Sequence, residues 1–308
     1  MIGSLEIALA VIGAGLAALA FTGLLGGCAG SGARECFEHA ECASGLCSSD
    51  GTCVPGADAD PDGPDAGVNG DADLAGCRPD HDGVIARDEI SLAPGRTATF
   101  RVATDTAVNT AGQLQSGGDR VWNFAGSFAG DQDEMVVLID PASAWYADLF
   151  PTATYATRLS SSEDLLGVFE LTDDALLLLG VVSPQAGVQR TELTYDPPVA
   201  VLTLPLTSTS SWQTDSTITG LAQGFSSFYS EQYASQVDAI GELQSPYGNF
   251  PVQRVRTQLT RTVGASVVTV RSFLFVSECF GTVASVTSNQ YEPEPEFTQA
   301  AELRRIAP

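Results

Sequence analysis

The sequence predicts an all-β fold, an antiparallel sandwich or half-barrel over 77–308, preceded by a signal segment (1–27), a small disulfide-rich module (28–53) and a disordered acidic linker (54–76). Three observations predict it. From about residue 90, apolar segments of strand length recur between turn-forming Gly, Pro, Asn and Asp. These segments favour β-branched and aromatic residues, which suit a pleated surface. No run with a 3.6-residue period separates them, so the strands are expected to follow one another as an antiparallel sheet rather than alternate with helices.

The expected strands lie at 90–102, 120–126, 134–140, 165–171, 175–182, 199–205, 233–244, 251–263 and 266–278. The last two form a hairpin about Gly264, with Val268, Val270, Leu274 and Val276 on one face and threonines on a wetter face. By local propensity 296–306, EFTQAAELRRI, reads as a short helix.

Composition removes several chemistries. The 308 residues are 44% hydrophobic and 17% charged, enough for a full core and too apolar for a mostly disordered chain. All fourteen basic residues are arginine, so no lysine is available for a Schiff base or a phosphate-binding P-loop. A net charge of −24 argues against nucleic acid as a partner. Histidine occurs only at His39 and His81, which excludes a Ser-His-Asp triad or a histidine-ligated zinc within the strand-rich region. Carboxylate-pair hydrolysis is left open, with Asp131, Asp133, Glu134, Asp173 and Asp174 as candidates, although their polar runs read better as a solvated surface.

From Ile7 to Gly27 the chain carries no charge and ends in Leu25-Gly26-Gly27-Cys28. Gly13, Gly15 and Ala18 are spaced like a dinucleotide fingerprint, but the segment after them is apolar all round and runs into glycines and cysteines, so no cofactor is expected. A membrane anchor and a secretory signal both fit the length. Small residues before Cys28 and a leucine three before it resemble the lipobox of bacterial lipoproteins. The resemblance implies that Cys28 is lipidated and becomes the mature N-terminus, tying the protein to a membrane outside the cytoplasm.

Six cysteines then remain, an even number suited to an oxidising compartment. Cys36, Cys42, Cys47 and Cys53 are spaced C-x5-C-x4-C-x5-C in a stretch too short to bury a core, so cross-links are expected to hold it; three pairings are open. The spacing lacks the paired C-x2-C knuckles of structural zinc. It resembles the small repeats of secreted myxobacterial proteins that are likened to the Dickkopf N-terminal cysteine-rich region, which implies an extracellular adhesion-like or spacer module. Cys77 and Cys279 are left at the two ends of the strand-rich region, and a bond between them is expected to favour the folded state by about 5 kcal/mol in the chain-entropy model.

The linker 54–76 holds six aspartates, no basic residue and nothing larger than Val or Leu, and is expected to be a self-repelling tether with a mean span of roughly 25 Å. Asp58, Asp60 and Asp62 open like a calcium loop, but Asn69 stands where the closing glutamate belongs. Asp80, Asp82 and Glu89 form a second fragment, spoiled by Arg78 at the first ligand position. Both are weak calcium candidates, and turn or linker is the favoured reading.

From Val199 on, the order PPVAVLTLPL, SSW, a strand, SPYGNFPVQRVRT and SFLFVSECFGTVASV, with Pro205, Trp212, Pro246, Gly248, Phe250, Phe275 and Gly281 as landmarks, resembles bacterial envelope proteins whose curved antiparallel sheet forms a half-barrel, broadly like lipoprotein carriers. The resemblance implies a closing strand at 296–306, against the local helix propensity. It also raises a groove lined by Trp212, Phe225, Phe228, Tyr229 and Phe275, for which a filled core is the favoured reading. The expected role is that of an exported, lipid-anchored surface protein with a structural or protein-binding role and no catalysis. Its expected partners are the membrane, through the anchor, and another envelope or surface protein. Carriage or sensing of a hydrophobic ligand is the alternative, and a carboxylate-based hydrolase the third reading.

Overall fold

The computed structural model describes residues 77–308. Its strands are β1 (Val84–Ile85), β2 (Thr97–Ala107), β3 (Gln113–Leu114), β4 (Arg120–Asn123), β5 (Gln132–Val137), β6 (Tyr155–Arg158), β7 (Leu166–Leu171), β8 (Ala175–Val182), β9 (Glu192–Thr203), β10 (Leu206–Thr207), β11 (Ser211–Ala222), β12 (Phe225–Gln244), β13 (Asn249–Val263), β14 (Ser266–Ser277), β15 (Gly281–Ser288) and β16 (Gln299–Ala307). Among the described residues the helical elements are single 3-10 turns at Arg87–Glu89, Pro141–Ser143 and Ala147–Leu149.

Twelve strands form one continuous path, β5-β2-β16-β15-β14-β13-β12-β11-β9-β8-β7-β6. Its ends come back together just past β5, where Ile139 and Ala156 exchange two backbone hydrogen bonds of 2.8 and 2.9 Å. The result is a nearly closed, antiparallel, barrel-like sheet. Closure removes most of the exposed edge that an open sheet of this length would present.

Side-chain alternation along β13 explains the layering. Val255 points into one core with Val276, Val237, Ile218, Leu193 and Val181, which fills the barrel interior. Phe250 and Val252 point the other way, into a second core with Phe273, Phe275, Val286 and Leu303. That outer face is covered by the segment between β2 and β5, whose Trp122 and Phe124 pack edge-on to Phe275 at 5.0 and 5.5 Å. The sheet branches to allow this: β11 pairs with β12 only as far as Gln236, and β4 lies parallel to β12 at Gly241–Gln244. A Cβ on Gly241 would sit 1.8 Å from the Arg120 carbonyl oxygen, so glycine is required for that approach. A third cluster, including Tyr146, Phe150, Leu166 and Val182, buries the outer face of β7 and β8. This double burial is why 165–171 and 175–182 read as unbroken apolar runs.

The expected strand at 296–306 is β16, which pairs with both β15 and β2 and so joins the two ends of the domain. Other expectations are corrected. The segment 90–102 becomes a strand only at Thr97, because Ala93-Pro94-Gly95 turns first. β11 and the first half of β12 carry no local strand signal of their own: their Ser, Thr, Gln and Gly content lacks the apolar alternation that marks a half-buried strand.

Cys77 and Cys279 are joined by a disulfide with a Cα–Cα distance of 5.6 Å. The Cys279 amide also donates to the Glu89 carbonyl at 2.9 Å, holding the entry segment against the β14–β15 turn.

Candidate functional site

At the opposite end of β14 from Cys279, the tips of the β8–β9 and β11–β12 hairpins and the β6–β7 loop surround an open cleft of about 460 Å³. Loops and turns contribute Glu163 and Leu165 before β7, Gln189 between β8 and β9, and Gln223 at the β11–β12 turn, while Phe228 projects from the start of β12. The floor comes from β13. Arg261 is in phase with Val255 and Leu259, so it points inward like a core residue and is only 4% exposed.

The charge of Arg261 is met by Glu231 on β12, which is buried and pairs with it directly in the ladder. Arg261 Nε–H donates to Glu231 Oε1 at 2.5 Å, and the Tyr233 hydroxyl donates to Oε2, also at 2.5 Å. The guanidinium carbon lies 5.4 Å from the Tyr229 ring centre. Among the described residues, Arg261 Nη2 is a fully buried polar atom of this cluster without a hydrogen-bond partner. Such orphans are rare in folded proteins and call for an explanation.

Electrostatics keep these groups as donors. Burial pushes the Tyr195 and Tyr233 phenols well above their ordinary range, with Glu231 adding to the rise. Burial first, and Glu231 after it, push Tyr229 up to about 12. Burial works against the charge of Arg261, yet Glu231 and the three phenols hold it above its ordinary value. Glu163, on the cleft wall, is pushed upward by burial and pulled back in part by Arg261. At neutral pH the floor therefore presents protonated phenols and a guanidinium already neutralised by its own carboxylate.

The five aromatic residues proposed for a groove do not share one, and the groove expectation is corrected here. Phe275 lies wholly in the outer core, on the opposite face of the sheet from Tyr229. Trp212 packs against the barrel interior and donates from Nε1 to the Ala200 carbonyl at 2.8 Å. Phe225 and Phe228 are 60% and 75% exposed, so a filled core does not describe them either. Only Phe228 and Tyr229 line the cleft.

The hydrolase candidates also separate. Asp131 is bound to Arg305 at 2.6 Å, Asp133 to Arg101 at 2.8 Å, and Glu134 to Arg304 at 3.2 Å. Asp173 and Asp174 are exposed on the turn between β7 and β8. These contacts serve architecture. Arg305 reaches from β16 to the Phe124 and Gly126 carbonyls, and Arg254 on β13 binds Asp238, Glu296 and the Thr110 carbonyl while stacking 4.3 Å from the Phe273 ring centre. Together the two arginines hold the covering segment onto the outer core.

Of the calcium candidates, Asp80 and Glu89 come together with Glu278, their carboxylates within 4.8 Å of one another. Asp82 turns back to accept from the Val84 amide at 2.7 Å. Glu278 was not a sequence candidate; it is brought there by its neighbour Cys279. Cys28, Cys36, Cys42, Cys47, Cys53, Asp58, Asp60 and Asp62 lie outside the described residues.

Arg261, Glu231 and Tyr195 were missed as well. One signal could have found Arg261: a charged residue at an inward phase of the alternation in 251–263.

Fold and cleft together define a nearly closed antiparallel β-barrel with a packed interior and a polar-floored rim. Neither a family model nor any curated protein matches the sequence. Among solved structures, the chain is similar to a protein of Parabacteroides distasonis ATCC 8503 provisionally described as a lipoprotein, at 10% identity over 70% of this chain and 95% of that one, with a TM-score of 0.30. It is also similar to a provisionally described exported protein of Bacteroides fragilis NCTC 9343 with a YmcC-like fold, at 8% identity over 70% and 96% of the two chains, with a TM-score of 0.26. Likeness at that level carries no weight for fold or function.

Proposed function

We propose that this chain is an exported envelope protein, lipid-anchored through Cys28, whose β-barrel acts as a binding module at its rim. The observation that carries the reading is the contrast between a barrel interior packed with side chains and an open rim cleft of about 460 Å³. A cleft of that size is in the usual range for small-ligand sites. Because the lumen is filled, carriage of a lipid within the barrel is the weaker alternative. The Cys77–Cys279 disulfide supports an oxidising compartment, where such bonds persist. The cysteine module and acidic linker would then set the barrel away from the membrane.

The test is localisation. The native chain should partition with membranes and incorporate labelled fatty acid, and Cys28→Ser should do neither. A Cys28→Ser protein that still fractionates with membranes and starts at residue 28 would overturn the anchor. Retention of the native protein in the cytoplasm would overturn the reading as a whole.

A further inference from the structure

We infer that the rim cleft binds a neutral carbohydrate, with the ring of Phe228 as the platform and Arg261 as the buried donor. The inference rests on the binding-module reading and names its ligand class. Three observations select the chemistry. First, the floor holds a donor with nothing to donate to: Arg261 lines the cleft, is 4% exposed, and its Nη2 has no hydrogen-bond partner among the described residues. Leaving such a group buried and unpaired costs free energy, which an acceptor oxygen on a ligand would recover.

Second, the charge balance disfavours an anion. Glu231 already neutralises Arg261, Arg158 pairs with Asp164 at 2.7 Å, and Glu163 stands on the wall. An added carboxylate or phosphate would face surplus negative charge on a chain of net −24. A cation offers no acceptor to the unpartnered Arg261 Nη2. A neutral ligand that both donates and accepts fits both ends, because a sugar hydroxyl can accept from Arg261 and donate to Glu163.

Third, the lining is rich in amides and hydroxyls, including Gln189, Thr191, Gln223 and Ser226, beside one exposed aromatic face. Phe228 is 75% exposed and, unlike Phe225, lines the cleft, so its ring face is open to a ligand there. The C–H face of a pyranose is a suitable cover, and a ring contact of that kind is worth up to about tenfold in affinity. An acyl chain would instead desolvate these polar groups without pairing them.

The experiment is titration calorimetry on the full chain in detergent. The probes are the neutral trisaccharides of glucose (α- and β-linked), mannose, xylose and N-acetylglucosamine, with a glucuronate disaccharide and palmitate as contrasts. At least one neutral sugar should saturate a single site. Phe228→Ala should weaken it by about tenfold with an unchanged melting temperature, while Phe225→Ala, exposed but off the cleft, should bind as the native protein does. Arg261→Gln should also weaken binding. If Arg261→Gln fails to fold, Phe228→Ala alone decides. Binding of glucuronate or palmitate without any neutral sugar would overturn the ligand class and leave the binding module standing. Sugar affinity unaffected by Phe228→Ala would overturn the site, and no binding by any probe would overturn the inference. None of these outcomes depends on where the protein is located, which the fractionation of the Cys28→Ser variant tests separately.

Discussion

Arg254 shows how much one buried side chain can hold. It is 2% exposed, grips Asp238 through two nitrogens at 2.9 and 3.0 Å, reaches Glu296 at 2.7 Å, and lies over the Phe273 ring. Removing one member of a buried pair strands the other, so Arg254→Ala should cost about 3–5 kcal/mol, measured as a lower urea midpoint. Arg254→Lys should rescue little, because an ammonium cannot reproduce the planar fork. Glu89 gives a pH signature. Burial first, then the charges of Glu278, Asp80 and Asp82, raise its pKa above the ordinary 4.5, against the Ala86 amide that lowers it. The folded protein then holds this proton more tightly than the unfolded chain does, so its contribution to stability is present below about pH 4.5 and is lost as pH rises through the higher folded value. Glu89→Gln keeps an acceptor for the Ala86 amide and should flatten that part of the stability–pH curve. An unchanged slope would mean that Glu89 titrates normally. Neither role is legible from local sequence, because Asp238, Glu296 and Glu278 are brought by other strands and turns.

At the scale of elements, the least legible parts were those whose side chains do not alternate in polarity. β13 and β14 were read correctly as a hairpin because Val268, Val270, Leu274 and their neighbours alternate about Gly264. β11 is a strand of twelve residues that the sequence hides behind Ser, Thr and Gln, since one of its faces looks to solvent and the other holds small polar groups such as Ser216. β4 is hidden for another reason: four residues long, it is a strand only because it finds β12. Gly241 is the contact that permits this, so Gly241→Val should push β4 off the sheet while leaving the β11–β12 ladder intact. The expected readouts are a red shift in tryptophan emission as Trp122 meets water and a loss of about 2–4 kcal/mol, comparable to emptying a core site. Unchanged emission would show that β4 is held by Trp122 and Phe124 packing alone.

For the whole molecule, the disulfide and β16 do the same job from two directions, tying the first residues of the domain to its last strands. Closing a loop of 202 residues restricts the unfolded chain more than the folded one, so Cys279→Ser should lower stability by roughly 2–5 kcal/mol. Non-reducing peptide mapping should recover Cys77 joined to Cys279, and a link from Cys77 to any of residues 36–53 would contradict the structure. The sequence by itself determined that the domain is all-β, that lysine and histidine chemistry is absent from its core, and that two cysteines stand apart at its ends. Composition and local alternation carry that information without reference to distant residues. Only the tertiary structure decided which face of each strand is the interior, because both faces of β13, β14 and β16 are covered and alternation does not distinguish two buried sides. It also decided that Arg261, Glu231 and Tyr195 meet at one rim while Trp212, Phe228 and Phe275 part company. Ladder register between strands and closure of the barrel set those encounters, and both are properties of the sheet as a whole.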